Sequence, residues 1–260
     1  MVTTDHRYTV ASVKRAVELI NAFLQPPHQF ALTELSNATG QTKNQTFRLL
    51  QTLADEGVVI MEAATKRYSL GYRVLEWGVT AQKGSRLTVV ASPVLDQLSE
   101  DVQETIVLTA RADDFEGICV DKRESAHALQ ISARVGRRVP LHAGAGSKCL
   151  LAYSPDAFFD RFVRERAPFE PFTEKTITDV DRLREEVKGI RERGVSISDE
   201  DLDLGACSIA APIHDHTNQV IGAISIASPK TRFTDDIVQK HESAVKAAAA
   251  EISRQLMHHF

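Results

Sequence analysis

Apolar residues recur at helical spacing through Val13, Ala16, Val17, Leu19, Ile20 and Phe23, and Pro26-Pro27 then forbids continuation, so a helix is expected with Ser12 as its cap. Two shorter helices are expected next. One runs from Thr33, placed to cap it, to Thr39, with Gly40 as its stop; the other runs from Thr42 to Glu56 and is ended by Gly57. In the second, Thr46, Leu49, Leu50 and Leu53 share a core face, and Gln41, Asn44, Gln45, Arg48 and Gln51 or Thr52 lie opposite. The period then changes. The stretch VVIMEAATKRYSLG holds two short apolar runs around Ala64, Thr65, Lys66 and Arg67 and reads as a β-hairpin with a positive tip. Residues 71–83 return to helical spacing through Val74, Leu75, Trp77 and Val79, without the Pro, Gly and Ser of a flexible linker.

From Ser85 helices and strands are mixed. A helix is expected from Arg86 to Glu100, kinked or broken at Pro93. Strands are expected at 105–110, 117–121 and 129–133, and helices at 148–153, 156–165 and 181–193, with Thr178 and Asp179 as start signals for the last. Two further strands, 208–213 and 220–227, flank the turn-like HDHTNQ, and Thr234 caps a final helix reaching about Met257. The fold class is α+β, a mixed sheet with helices around it, which is an architecture that forms pockets.

Length changes this picture little: 260 residues with 43% hydrophobic content suffice for two small cores. The divisions expected are 1–70, a linker helix over 71–84, and 85–260. Cys119, Cys149 and Cys207 are odd in number and form no CxxC, so neither a disulfide framework nor a zinc site is expected, and a reducing cytoplasm is the simplest location. No run of about eighteen apolar residues and no signal pattern argue for a membrane or secreted protein. The net charge of −4 hides a split: residues 1–83 carry nine Lys+Arg against seven Asp+Glu, and the remainder carries 22 against 28.

The helix pair at 31–55 has the shape of a DNA major-groove reader. Asn44, Gln45 and Arg48 carry groups that read base edges, whereas Lys43 and the Thr42 hydroxyl suit phosphates. An ordinary helical hairpin with a solvated face has the same pattern. The β-hairpin that follows favours a winged helix-turn-helix, whose Lys66 and Arg67 would reach the DNA backbone or minor groove. Two copies would be needed for useful affinity.

In the second half, Gly144-Ala145-Gly146 leads into a helix expected near Ser147, whose amides suit a carboxylate; a plain tight turn has the same pattern. The spacing GxxxxGK[ST] is absent, which removes nucleotide binding. His214-Asp215-His216 reads as a solvated turn, and Ser198-Asp199-Glu200-Asp201 with Asp203 as a pocket rim that lacks EF-hand spacing. Ser147, His142 and Asp199 can be drawn as a catalytic triad, but no GxSxG elbow is present, and Cys149 sits in an apolar run. No catalytic residue, metal or cofactor is therefore expected.

The stretches SVKRAVELINAF, LTELSNATGQTKNQTFRLLQTL, RYSLGYRVLEWG, ETIVLTA, VGRRVPLHAGAGSKCLLA, GVSISDEDLDLGACSIAAPI and GAISIASP with RFTDD stand in one order over about residues 12–257. Together they are similar to the IclR family of bacterial transcription regulators. That resemblance implies a winged helix-turn-helix, a linker helix and a GAF-like effector domain, assembled as a homodimer or homotetramer on a pseudo-palindromic double-stranded operator as repressor or activator. It also implies a small organic effector, a carboxylate or aromatic catabolite.

The recognition helix departs from the family pattern. Gln41, Thr42, Asn44, Gln45 and Thr46 replace the usual apolar residue, proline, Ser-Thr and apolar residue, and Phe47 stands where a polar residue is common. A slight rotation burying Phe47 with Leu50 and Ala54 would change which residues face DNA. Carried over by motif, the effector pocket comprises the Ala145 and Gly146 amides, the Ser198, Ser208 and Ser225 hydroxyls, and walls from Ala128, Ile131, Val139, Ala206 and Ala227. Relatives use an acidic residue, a cysteine and a second serine where this chain has Ser198, Ser208 and Ala227. Those replacements favour a bulkier or aromatic ligand over a two-carbon keto acid. Two other classes fit the pattern less well: a GAF-type sensor acting through a protein partner, and an enzyme on small acids.

Overall fold

The computed structural model describes residues 8–112, 115–131 and 133–258. The chain divides into two compact units, residues 1–81 and 82–260.

The first unit holds α1 (Ala11–Ala22), β1 (Phe30–Ala31), α2 (Leu32–Thr39), α3 (Lys43–Asp55), β2 (Val59–Met61) and β3 (Arg67–Leu70). Leu19, Phe23, Leu35, Leu50, Val59 and Tyr68 form its core. Leu50 is fully buried, and trimming such a leucine to alanine costs about 2–5 kcal/mol. Ser12 does not cap α1: it lies inside the helix, where Val10 is the N-cap and no side chain accepts a bond. Thr33 is likewise inside α2. The Ala31 N–H is instead satisfied by Glu34 Oε2 at 2.8 Å.

Gly40 at φ +65° turns the chain between α2 and α3, a conformation any side chain would strain. Thr42 and Gln45 then cap α3 reciprocally: the Gln45 N–H donates to Thr42 Oγ1 and the Thr42 N–H to Gln45 Oε1, each at 3.3 Å. The hairpin forms as expected, and β1 adds a third strand in the order β1-β3-β2. α4 (Tyr72–Gly84) runs across the division between the units and buries no residue of its own.

The second unit is built on a six-stranded antiparallel sheet, order β6-β5-β4-β9-β8-β7. Its strands are β4 (Thr105–Arg111), β5 (Glu116–Arg123), β6 (Arg138–Pro140), β7 (Ser196–Asp199), β8 (Ala206–His214) and β9 (Val220–Pro229). One face packs on α5 (Arg86–Val102) and α9 (Asp235–His258) through Leu87, Leu95, Ile209, Ile224, Val245 and Ile252. Against the other lies α6 (Ala145–Ala152), where Ala145 and Cys149 meet Ala210 and Ala223. α7 (Asp156–Arg166) and α8 (Val180–Arg193) close a second core with Phe159, Phe162 and Leu183.

Four sequence readings change here. α5 is one continuous helix through Pro93, which lies on its exposed side, so the break that proline allowed there does not occur. The strand expected over 129–133 does not form. The edge of β5 is taken by β6, and Leu129 is exposed; Ser132 lies outside the described residues. β6 and β7, only 3 and 4 residues long, are too short to show a period in the sequence and are added by the structure. α6 begins at Ala145, two residues before the start expected.

Candidate nucleic-acid face and ligand pocket

On α3 the periodicity holds: Thr46 and Leu50 are buried, and Lys43, Asn44, Gln45 and Arg48 are exposed. The rotation that would bury Phe47 does not occur, since its side chain remains 48% exposed beside Arg48. Exposed side chains are not equally free. Gln45 is held in the capping box, Gln51 donates to Asp55 Oδ1 at 3.0 Å, and Thr42 accepts the Gln45 amide. Gln41 donates to Arg15 O at 3.2 Å, which ties it to α1. Among the described residues, Lys43, Asn44 and Arg48 have no side-chain partner in the protein.

The two basic residues of the hairpin also differ. Lys66, at φ +57°, is exposed at the turn, whose backbone is closed by the Lys66 N–H to Glu62 O at 2.9 Å. Arg67 begins β3 and points back into its own unit, bridging Glu34 Oε2 at 2.7 Å and Gln29 O at 3.0 Å. It braces the hairpin against α2. α1 and α4 carry exposed apolar side chains, among them Val13, Val17, Leu75 and Trp77.

The pocket of the second unit lies between the sheet and α6 and has a cavity volume of about 110 Å3. Strand alternation builds its floor. Ser198 of β7 pairs with Ser208 of β8, and Ser208 with Ala227 of β9; one rung on, Val107 of β4 pairs with Ser225. Small side chains along these rungs leave the room. Of the ten positions expected, Ile131, Val139, Ala145, Gly146, Ser198, Ala206, Ser208, Ser225 and Ala227 line the cavity. Ala128 does not: with no strand at 129–133 it sits exposed in an irregular loop.

The cavity also meets Val107, Thr109, Gly117, Cys119, Leu202 and Cys207, with Arg134, Arg137 and Asp203. The first two face inward at alternate positions of β4, a signal a period-two reading offers. The loop residues offered none. Arg137 grips Asp203 with two bonds of 2.7 and 2.8 Å, joining the loops that carry them. Arg134 is exposed and without a side-chain partner among the described residues.

The first turn of α6 supplies the donors. Gly144, at φ +73°, precedes it, no side chain caps it, Ala145 and Ser147 are buried, and Gly146 is partly buried. Amides there have no partner within the helix and stand at the positive end of its dipole, so they attract an anion. Glycine at 146 lets the helix approach β4 closely; a Cβ there would come within 2.6 Å of Thr109 Oγ1.

Behind the cavity wall Lys148 Nζ meets Asp201 Oδ2 at 2.6 Å and Ile197 O at 2.8 Å. The other oxygen, Asp201 Oδ1, accepts the Gly144 N–H at 3.0 Å and the Ser198 hydroxyl. One buried carboxylate thereby fixes both the entry to α6 and a wall serine.

No catalytic arrangement forms from the residues that could be drawn into one. The Ser147 hydroxyl donates to Val139 O at 3.3 Å. His142 lies against Phe169 and Phe172 with Nε2 on Glu170 O, and Asp199 pairs with Lys175 and Lys230. Burial, with Asp199 beside it, pushes the Cys207 thiol up to about 12, and burial raises Cys119 to about 11, so both stay protonated thiols. Cys149 is raised by burial as well.

Each carboxylate of the 199–203 rim has a cationic partner: Asp199 and Glu200 take Lys175, Asp201 takes Lys148, and Asp203 takes Arg137. Among the described residues no group of His, Cys, Asp and Glu converges to hold a metal. His214 ends β8 and is half-buried, and His216 lies in the turn that follows, where Asp215 Oδ1 accepts from the Thr217 hydroxyl and the Thr217 and Gln219 N–H groups. No described helix is long and apolar enough to cross a membrane.

Comparison with known proteins places both units. Residues 12–60 match the model of the IclR helix-turn-helix domain, and residues 80–254 that of the bacterial transcriptional regulator IclR C-terminal domain. The HTH-type transcriptional regulator KipR of Bacillus subtilis is 32% identical over 245 residues, covering 94% of this chain and 96% of that protein. A transcriptional regulator from Alicyclobacillus acidocaldarius superposes with a TM-score of 0.87 at 26% identity, covering 96% of this chain and all of that one. An IclR homolog from Microbacterium hydrocarbonoxydans, solved with 4-hydroxybenzoate, shares the fold at a TM-score of 0.80 and 22% identity, covering 95% and 99%.

Proposed function

The chain belongs to the IclR family of bacterial transcriptional regulators, and on that premise we propose that it is a ligand-responsive regulator that acts as a homodimer or homotetramer in the cytoplasm. DNA is bound through the winged helix-turn-helix and a small organic acid through the second unit. The observation that carries the DNA half is the set of uncommitted side chains on one exposed face of α3, Lys43, Asn44 and Arg48. Arg48 is suited to a guanine edge, Asn44 to adenine, and Lys43 with Lys66 to phosphate. Thr42, Gln45 and Arg67 support the reading face by holding the helix start and the hairpin in place.

The pocket supports the effector half. Its unpartnered helix amides suit a carboxylate, its walls are mostly apolar, and its volume admits a small molecule. Exposed Trp77, Leu75, Val13 and Val17 suit contact with a second copy, and two reading heads meet a palindromic site with avidity. The effector biases the placement of those heads, a coupling between two sites.

Two assays test this. DNA from the chain's own upstream region is titrated with the full chain by anisotropy, and Arg48→Ala is expected to weaken binding about tenfold or more. A thermal-shift panel of aliphatic and aromatic acids is expected to yield a stabilising ligand, worth about 2.7 kcal/mol at one hundred times its dissociation constant. No retention of any upstream DNA would favour a sensor acting through a protein partner, and turnover of an acid would favour an enzyme.

A further inference from the structure

The hydroxyls of the pocket are not equivalent, and the difference is chemical. A serine hydroxyl has one proton to donate and two lone pairs. Ser198 is 3% exposed, and its Oγ contacts Asp201 Oδ1. Asp201 holds the Lys148 ammonium on its other oxygen and also takes the Gly144 N–H, so it is a carboxylate with nothing to donate. Ser198 is therefore the donor in that pair, and only its lone pairs remain for a ligand. Ser147 and Ser225 likewise direct their protons to the carbonyls of Val139 and Val107, at 3.3 and 3.4 Å. Ser208 and Thr109, which also line the cavity, have no hydroxyl partner among the described residues and are free to turn either way.

Position adds to polarity. The Ser198 Oγ and the Gly144 nitrogen share one acceptor oxygen, so the two atoms lie within about 6 Å of each other, the sum of two hydrogen-bond lengths. The amides of Ala145 and Gly146 follow Gly144 directly along the chain. A ligand whose carboxylate sits on those amides therefore brings its next one or two carbons up to an acceptor that has no proton to give.

Resting on the effector-site reading above, we infer that the pocket selects a carboxylic acid with a hydroxyl on the second or third carbon, and discriminates against the keto acid of the same skeleton. The carboxylate takes the α6 amides and the hydroxyl donates to Ser198 Oγ. A keto oxygen at that place would set lone pair against lone pair. A ligand lacking the oxygen would leave Ser198 without a partner on the cavity side. Lys148 and Asp201 touch no ligand; they are positioning residues that fix the direction of the Ser198 proton.

Calorimetric titration of the full chain tests this with matched acids: mandelate, phenylglyoxylate and phenylacetate; lactate, pyruvate and propionate; and 3-hydroxybutyrate, acetoacetate and butyrate. In at least one set the hydroxy acid is expected to bind tenfold or more tighter than both analogues. Ser198→Ala is expected to bring the three members of that set within about threefold. Asp201→Asn, whose amide can donate to Ser198 and free its proton, is expected to shift preference toward the keto acid. Should that variant fail to fold, Ser198→Ala carries the test alone.

Keto or deoxy acids binding as tightly as the hydroxy acid would overturn this inference and leave the effector site standing. A hydroxy preference that survives Ser198→Ala would overturn it equally. No binding by any member of the sets would overturn both.

Discussion

Lys148 Nζ lies 2.6 Å from Asp201 Oδ2 with the two side chains only 3% and 6% exposed, and this pair anchors the pocket of the second unit. A buried ion pair adds little over an apolar pair of the same shape, but losing one partner strands a charge away from water. Lys148→Met is therefore expected to destabilise the second unit by about 3–5 kcal/mol, measured as the urea midpoint followed by far-UV dichroism. Replacing both residues, Lys148→Met with Asp201→Leu, is expected to regain only part of that loss, because Gly144 and Ser198 still lose their acceptor. Full recovery would mean that Asp201 serves Lys148 alone.

The hairpin offers a contrast between neighbours. Lys66→Ala is expected to lower the salt slope of DNA binding by about 1 and leave thermal stability unchanged. Arg67→Ala removes a partly exposed bridge to Glu34, so its cost is about 0–1 kcal/mol, with a loosened hairpin seen as faster amide exchange at Tyr68 and Ser69. An equal change of salt slope in both variants would return Arg67 to the DNA.

Burial lowers His142, His214 and His241 below the usual imidazole range. Because the folded chain resists protonation there, the unfolded chain binds more protons as pH falls through about 6.5, and stability declines. Thermal midpoints are expected to fall between pH 7 and pH 5. Asp199, held at about 2 chiefly by the Lys230 ammonium, adds its loss only at lower pH. His142→Phe is expected to flatten part of the slope between pH 7 and 5.

Gly146→Ala places a methyl 2.6 Å from Thr109 Oγ1 and 3.1 Å from Thr109 Cβ. Overpacking of this kind costs about 1–3 kcal/mol. The variant is expected to keep its DNA affinity while ligand binding drops at least tenfold by calorimetry.

Much of this architecture was legible in the residues. The 3.6-residue stripe of Thr46, Leu49, Leu50 and Leu53 gave α3 its orientation, and it prevailed over the exposed Phe47 because one aromatic cannot turn a helix whose other face is already packed. Gly144-Ala145-Gly146 marked one end of the pocket by its turn into a helix, whereas Ser198, Ser208 and Ser225 were placed in it only by the family motif. What could not be read was partnership. Gln45 and Arg67 have the same side chains as a DNA reader, yet the first is spent on the Thr42 cap and the second on Glu34, through contacts set by the turn and by strand pairing. The Asp201 hub was hidden for a similar reason. Its partners Gly144, Lys148 and Ser198 come together only when α6 packs on the sheet. Ala128 was misplaced because short edge strands carry too little pattern to show where β6 would pair.

The most direct test joins the two units. Affinity of the full chain for its own upstream DNA, measured by anisotropy at fixed salt with and without a saturating acid from the thermal-shift panel, is expected to change at least fivefold. The same acid is expected to leave the DNA affinity of Gly146→Ala unchanged at that concentration. An acid that binds the wild-type chain tightly and leaves its DNA affinity unaltered would contradict the account.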